Sequence, residues 1–318
     1  MAEHVSTIVF MGSPEFAVAT LDALRRAPGH EVVRVVTQPD RPKGRGQRLA
    51  PTPVKAYAIE QGLPVGTMTK ADYAEVVAGL RALDPDFVVV ASFGIILKKD
   101  LLELPRRGCV NLHASLLPKY RGVSPIQAAI LAGDAETGCT TMLMDEGIDT
   151  GAMLLAERVP IDPADTAATL ERKLAAAGGP LMARTLAGIL DGSVRPVAQD
   201  DASASYTKKV RKEHGAIDWT KSAAAIERQV RAMLPWPSAY TAFSGKRLIV
   251  LEAAVSAEAV VSAGSAGAPG AVLSTSPFVV AAGEGALEIK RVKVEGKAEM
   301  AARAFLSGYR LRSGDMLD

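Results

Sequence analysis

An amide and an imidazole are the side chains of this sequence whose spacing is best suited to chemistry. Asn111 and His113 lie two residues apart at the end of a short apolar run. Alternate side chains of a strand point to the same face, so the two groups are expected to share one site. A neutral imidazole can move a proton, and an amide can donate a hydrogen bond to a developing oxyanion. The pair therefore indicates a reaction of the acyl-transfer type.

A carboxylate would complete this set, and Asp149 is the candidate that the sequence offers. It follows a predicted strand at residues 140–145, in a segment with Gly147 and Gly151, and glycines permit an unusual backbone path near a ligand. Structural alternatives stay open at this point. A histidine at a strand end often serves the structure alone, and an aspartate before Thr-Gly often forms a turn.

Phosphate-binding and metal-binding patterns give little support to other chemistries. Gly12-Ser13-Pro14 follows the first predicted strand, but neither G-x-G-x-x-G nor G-x-x-x-x-G-K-[ST] occurs. The four histidines are scattered along the chain, so we expect no metal site. Cys109 and Cys139, the only cysteines, each lie in an apolar stretch, which favours buried, reduced thiols over a disulfide.

The elements that must position these residues alternate between strands and helices over roughly the first two hundred residues. The predicted strands are residues 6–12, 31–38, 86–93, 109–113 and 140–145. Continuous β-branched runs of this kind are typical of buried parallel strands. With helices between them, right-handed crossovers build an open, mostly parallel, Rossmann-like α/β sheet, whose ligands bind beyond the carboxyl ends of the strands.

The chain changes character after residue 190. Residues 191–206 combine Gly, Pro, Ser and Asp without periodicity, which is typical of a linker. Beyond a helix at 222–233, short strand-like segments follow one another at residues 246–255, 270–274, 278–282 and 286–294. This pattern predicts a small β-barrel or sandwich. We therefore expect two domains, residues 1–190 and 207–318.

Charge is distributed unevenly between these two parts. The whole chain has a net charge of +2, but residues 207–318 carry 16 Lys and Arg against 11 Asp and Glu. Such an excess can favour a polyanionic partner, although an ordinary solvated surface explains it equally well. No apolar run approaches the roughly 18 to 20 residues of a membrane span, and the first residues lack a signal-peptide pattern, so we expect a cytoplasmic protein.

The segment around Asn111 and His113 carries a more specific signal. The run NLHASLLPKYRG at 111–122 and the run DEGIDTG at 145–151 resemble the signature of the formyltetrahydrofolate-dependent formyltransferases. This resemblance implies a formyltransferase domain in which Asn111, His113 and Asp149 are catalytic and 10-formyltetrahydrofolate is the formyl donor, without a metal. The residues that it implies for folate binding are Ser92, Phe93, Gly94, Ile95, Leu97, Ser115, Leu116, Leu117, Pro118, Asp145 and Gly147.

Three further features resemble those members of the family that formylate the amino group of methionyl-tRNA. Residues 37–49 form an inserted basic loop, a basic second domain resembles an OB-type barrel, and Ile217-Asp218-Trp219 resembles the start of that domain. The resemblance covers essentially the whole chain and implies initiator methionyl-tRNA as the partner. The residues that it implies for tRNA binding are Arg41, Lys43, Arg45, Arg48, Lys208, Lys209 and Arg211.

Two alternatives stay open. A sugar-nucleotide N-formyltransferase would use the same folate donor and catalytic residues, so the choice of acceptor depends on the basic loop and the basic second domain. A non-catalytic RNA-binding protein would need only that loop and a barrel, and the intact Asn111, His113 and Asp149 argue against it. We expect a monomer, because one tRNA could span both domains.

Overall fold

The chain divides into two compact units. The computed structural model describes residues 5–44, 46–257 and 267–318. The first unit comprises the described chain up to Pro125 together with Glu136–Pro160 and Glu171–Thr207. The second unit comprises Ile126–Ala135, Ile161–Leu170 and the described part of Lys208–Asp318.

Strands and helices alternate along the chain as far as Asp191, and strands dominate beyond it. The strands are β1 (Ser6–Gly12), β2 (His30–Thr37), β3 (Arg41–Lys43), β4 (Arg48–Ala50), β5 (Val65–Thr67), β6 (Phe87–Ala91), β7 (Cys109–His113), β8 (Arg121–Gly122), β9 (Glu136–Leu143), β10 (Met153–Pro160), β11 (Tyr206–Thr207), β12 (Ala239–Phe243), β13 (Lys246–Val255), β14 (Val272–Thr275), β15 (Phe278–Ala281), β16 (Ala286–Val294) and β17 (Glu299–Ala301). The helices are α1 (Glu15–Arg26), α2 (Pro53–Glu60), α3 (Tyr73–Arg81), α4 (Lys99–Leu102), α5 (Pro125–Ala132), α6 (Ala167–Asp191), α7 (Ala223–Ala232) and α8 (Ala302–Gly308). None of the helices among the described residues has both the length and the apolar character needed to cross a membrane.

One seven-stranded sheet forms the centre of the first unit, in the order β10-β9-β7-β6-β1-β2-β5. The pairs from β7 to β5 are parallel, whereas β9 runs antiparallel to β7 and β10 antiparallel to β9. The predicted mostly parallel α/β sheet is therefore confirmed, but the interpretation of residues 140–145 as another parallel strand is wrong. A strand buried on both faces has the same apolar pattern in either direction, so the sequence of β9 does not reveal its direction.

Burial of apolar side chains accounts for the central strands and for the helices that pack against them. All five residues of β6 are buried, as are all five of β7. Helix α1 is amphipathic and buries one face, including Leu21 and Leu24. Helix α6 comes so close to β7 that a Cβ added at Gly178 would lie 2.6 Å from Cδ2 of Leu112. Close packing of this kind holds β7 in one position.

The second unit contains an antiparallel sheet, in the order β12-β13-β16-β15-β14, with β17 also paired to β16. Its core is apolar and includes Phe305, which stacks on Tyr309 with ring centroids 4.9 Å apart and packs edge-on against Phe243. Over the described residues the paired strands form an open path. The antiparallel β domain is therefore confirmed, and its closure into an OB-like barrel stays a prediction.

Three regions of the first unit contain structure that the sequence interpretation lacks. The basic loop at 37–49 includes a small antiparallel hairpin of β3 and β4. Strands β5 and β10 have no counterpart among the predicted strands. Residues 191–206 belong to the first unit, where Val197 bridges to Met153 and a short 3-10 helix covers Asp201–Ser203.

Candidate active site

Asn111 and His113 lie in a buried part of the sheet. Asn111 is 8% exposed and His113 is 6% exposed. Strands β6 and β9 flank them, and Asn111 is aligned with Val90 on one side and with Met142 on the other. Within the described parts of the chain, no protein group hydrogen bonds to the side-chain amide of Asn111. The amide atoms are not among the fully buried ones, so they keep contact with solvent and are available to bind a ligand atom.

Both ring nitrogens of His113 face acceptors. Nε2 lies 2.9 Å from the carbonyl oxygen of Tyr120, and Nδ1 lies 3.5 Å from Oδ2 of Asp149. A carbonyl oxygen only accepts, so Nε2 carries a hydrogen and donates it. Nδ1 is therefore the nitrogen that can gain or lose a proton, and it forms an ion pair with Asp149 when the ring carries both protons.

Asp149 reaches the imidazole from the loop between β9 and β10. Its φ of 53° is left-handed, which is uncommon for a residue with a side chain. Its Oδ2 accepts a hydrogen bond of 2.7 Å from the Gly122 N–H. The loop closes so tightly that a Cβ added at Gly151 would lie 1.7 Å from the Leu143 carbonyl oxygen. Glycine is therefore required at this position.

Comparison with known proteins identifies the family. The model of the formyl transferase family matches residues 6–186, and that of the formyl transferase C-terminal domain matches residues 209–310. A methionyl-tRNA formyltransferase of Citrifermentans bemidjiense is 46% identical over 312 residues, which cover 98% of this chain and 96% of that protein. One from Myxococcus xanthus is 46% identical over 309 residues, with 96% of each chain covered. This chain belongs to the methionyl-tRNA formyltransferase family.

Solved structures share the fold of the family at lower identity. WlaRD, a sugar 3N-formyl transferase, has a TM-score of 0.65 at 21% identity, and the match covers 93% of this chain and 100% of that chain. HypX from Aquifex aeolicus, in complex with tetrahydrofolic acid, has a TM-score of 0.61 at 15% identity, covering 99% of this chain and 51% of that chain.

The residues that the family resemblance assigns to folate binding differ in exposure. The exposed ones are Ser92, Gly94, Asp145 and Gly147. The half-buried ones are Ile95, Leu116 and Pro118. The buried ones are Phe93, Leu97, Ser115 and Leu117. Side chains of the buried group pack inside the first unit, which leaves main-chain groups as their means of contact with a ligand.

The loops after β6 and β7 are held by side chains from other parts of the first unit. The Thr140 hydroxyl donates to the Ser115 carbonyl at 2.7 Å and accepts from the Leu117 N–H at 3.1 Å. The Gln38 amide donates to the Phe93 carbonyl at 2.8 Å. These contacts link the loop after β7 to β9 and the loop after β6 to the residue that follows β2, and they restrict the main-chain positions of both loops.

The cations expected to bind tRNA lie on surface segments of both units. Those with exposed side chains are Arg41 and Arg48 in the first unit and Lys208, Lys209 and Arg211 in the second. Arg41 donates to the Gln38 side chain at 2.6 Å. Lys43 belongs to β3, and Arg45 lies outside the described residues.

Two residues that the sequence interpretation did not single out form a chain of hydrogen bonds that ends at Asp149. Arg121 is only 1% exposed, and its guanidinium donates to Gln199 at 2.9 Å, to Tyr206 at 2.9 Å and to Asp201 at 2.7 Å. Gln199 in turn donates to the Asp149 carbonyl at 2.8 Å. Arg121 lies inside the run that resembles the family signature, which is a signal for it. Nothing in the local sequence distinguishes Gln199, because its contacts arise only in the folded chain.

Proposed function

We propose that this chain transfers the formyl group of 10-formyltetrahydrofolate to the amino group of initiator methionyl-tRNA. One observation carries the proposal: an Asn111 amide with no protein partner among the described residues lies on the same strand as a His113 that faces Asp149. It occurs in a chain that is 46% identical over almost its whole length to a methionyl-tRNA formyltransferase. We assign the chemistry to Asn111, His113 and Asp149.

Folate is the proposed donor because relatives of the same fold hold folates. WlaRD was solved with dTDP and 5-N-formyl-THF, and HypX with tetrahydrofolic acid. The residues present here fit such a molecule. The loop after β6 exposes 76% of Ile96, and the loop after β9 exposes 60% of Ile148, so both offer apolar surface to a flat ring. Main-chain groups of the loops after β6, β7 and β9 would bind its polar edge.

The proposed reaction exchanges one carbon–nitrogen bond for another. The amine nitrogen of the methionyl group bonds to the formyl carbon, and the bond from that carbon to folate N10 breaks. Between these events the formyl oxygen carries negative charge. The Asn111 amide donates a hydrogen bond to that oxygen, and the positive charge of His113 stabilises it further when the ring carries both protons.

Proton transfer is the second task of the site, because the attacking amine must lose a proton and N10 must gain one. Nδ1 of His113 is the exchangeable position, since the Nε2–H is engaged with the Tyr120 carbonyl. The Asp149 carboxylate, 3.5 Å away, stabilises the imidazolium. The Tyr120 contact favours the ring orientation in which Nδ1 faces Asp149. General acid–base catalysis of this kind contributes roughly 10² to 10⁴ in rate.

The proposed acceptor makes use of cations from two segments of the chain. Side chains on the β3–β4 hairpin and at the start of the second unit would neutralise tRNA phosphates. The cations that we assign to this role are Arg41, Lys43, Arg45, Arg48, Lys208, Lys209 and Arg211. Closure of the second sheet into an OB-like barrel, a monomeric state and a cytoplasmic location complete the proposal.

An acceptor panel tests the proposal. The protein is incubated with 10-formyltetrahydrofolate and with initiator methionyl-tRNA, elongator methionyl-tRNA or an amino-sugar nucleotide, and the formylated product is identified by mass. We expect initiator methionyl-tRNA to be formylated fastest. Transfer to the amino sugar alone would show that the proposed acceptor is wrong and that the proposed formyl-transfer chemistry is right. Binding of tRNA without transfer to any acceptor would favour the alternative that the chain is a non-catalytic RNA-binding protein.

A further inference from the structure

Asp149 has a backbone conformation that its surroundings must maintain. Its φ of 53° is left-handed, and such conformations persist in non-glycine residues only where neighbouring groups hold them. The Gly122 N–H contacts the Asp149 carboxylate but leaves the main chain of Asp149 unsupported. Support for that main chain comes from a segment about fifty residues further along.

The Gln199 side chain provides this support, and both its amide nitrogen and its amide oxygen take part. Its Nε2 donates to the Asp149 carbonyl at 2.8 Å and to the Gly151 carbonyl at 2.7 Å. Its Oε1 accepts from Nε of Arg121 at 2.9 Å. Carbonyl oxygens only accept and a guanidinium only donates, so the amide can occupy this position in one orientation only. It therefore bridges two carbonyls of the Asp149 loop.

Arg121 anchors the other end of the amide. Its Nη2 donates to Asp201 at 2.7 Å and its Nη1 donates to the Tyr206 hydroxyl at 2.9 Å, while its Cζ lies 5.6 Å from the centre of the Tyr206 ring. Strand β8, Arg121–Gly122, pairs with β11, Tyr206–Thr207. The residue next to Arg121 is the one whose N–H binds the Asp149 carboxylate. Strand β8 therefore holds both parts of Asp149. Arg121 binds the Gln199 amide that holds the main chain, and Gly122 binds the carboxylate.

We propose that Gln199 is a positioning residue for Asp149. It keeps the carboxylate opposite Nδ1 of His113 by holding the loop main chain, and it does not itself touch the reacting atoms. This inference rests on the proposed function, because it assigns Asp149 to catalysis. It assigns a supporting role to the segment at 191–206, which contributes no strand to the seven-stranded sheet.

Two substitutions test the contact itself. Gln199→Ala removes all three hydrogen bonds, and Gln199→Glu keeps an acceptor for Arg121 but turns oxygen toward two carbonyls. We expect both to slow single-turnover formyl transfer by roughly 10-fold to 100-fold, because a small misplacement of a catalytic group costs about that much. Affinities for folate and tRNA should stay unchanged. A normal rate in both variants would overturn the proposal.

A matched control is available in the second unit. Gln229 also bridges two carbonyls with its Nε2, at 2.9 Å to His214 and 2.9 Å to Ala216. Gln229→Ala should lower Tm while leaving the transfer rate unchanged. In an Asp149→Ala background, Gln199→Ala should have no further effect on the rate. A full additional loss there would show that Gln199 acts independently of Asp149 and would overturn the proposal.

Hydrogen exchange separates this inference from the proposed function. The Gly122 N–H donates to the Asp149 carboxylate, so its exchange rate reports the position of that group whatever the acceptor is. We expect at least tenfold faster exchange at Gly122 in Gln199→Ala and no change in Gln229→Ala. Unchanged exchange at Gly122 overturns the positioning role. Wild-type protein that formylates no methionyl-tRNA overturns the proposed function instead.

Discussion

The proposed catalytic site of the first unit and the proposed tRNA-binding cations of the second unit are held in opposite ways. In the first unit, His113 and Arg121 are buried and each contacts named partners at short distance. In the second unit, Lys208, Lys209 and Arg211 are exposed on a surface segment. The first arrangement depends on the position of single atoms, whereas the second depends on the number of charges. The same kind of substitution should therefore have very different effects in the two units.

The largest effects are expected at the candidate catalytic residues of the first unit. Asn111→Ala and His113→Ala remove the proposed oxyanion donor and the proposed proton carrier, and Asp149→Asn removes the charge that faces the imidazole. We expect single-turnover rates to fall by roughly 10² to 10⁴ for His113→Ala and by roughly 10² to 10³ for Asn111→Ala.

Thermal unfolding provides the control for these variants. Asp149→Asn keeps the shape of the side chain and an oxygen that can accept from Gly122, so its Tm should change little. Near-normal transfer rates in correctly folded variants would show that these three residues are not catalytic. The two units would then tolerate substitution equally well.

A smaller effect is expected for the cations of the second unit. Replacing Lys208, Lys209 and Arg211 together by alanine should weaken tRNA binding and reduce the slope of log affinity against log salt by about two to three, because each phosphate contact releases counterions. The transfer rate at saturating tRNA should stay almost unchanged. Binding measured over a series of salt concentrations checks both points.

Three other exposed cations of the second unit supply a charge-matched control. Replacing Lys297, Arg303 and Arg310 by alanine changes the net charge by the same amount. An equal loss of tRNA affinity in this variant would show that binding follows total charge and is not located at the start of the unit.

The smallest effect concerns two side chains of the first unit that take no part in the proposed chemistry. Burial raises the pKa of the Cys109 and Cys139 thiols to about 12. Both thiols are free and buried, as the sequence predicts. In native protein at pH 8 we expect no alkylation by iodoacetamide over hours, and rapid alkylation after unfolding. Fast labelling of native protein would show that the first unit opens readily and would weaken the contrast with the second.

The same thiols give a pH dependence of known sign. An unfolded thiol ionises near its ordinary pKa of about 8.5, whereas the folded thiols stay protonated until about pH 12. Their contribution to the free energy of unfolding is therefore fully present below pH 8 and is lost as the pH rises toward 12. Denaturant titrations at pH 8 and pH 10 should show lower stability at the higher pH.

Local patterns account for the central part of the fold. The bounds predicted for β1 and β7 agree with the structure, because continuous apolar runs that end in glycine or a polar residue are clear signals. Strand β10 is only partly buried, so its sequence alternates and is less distinct. The direction of β9 depends on how the chain returns to the sheet, which no local pattern records.

The sequence by itself determined that Asn111 and His113 share a strand and a face, because alternation of side chains follows from backbone geometry over neighbouring residues. It also carried the motif that resembles the family. Only the tertiary structure decided that Asp149 faces Nδ1, that the Tyr120 carbonyl holds Nε2, and that Gln199 supports the Asp149 loop. These contacts join parts of the chain that no periodicity relates, and they form only when the packed core brings the loops together.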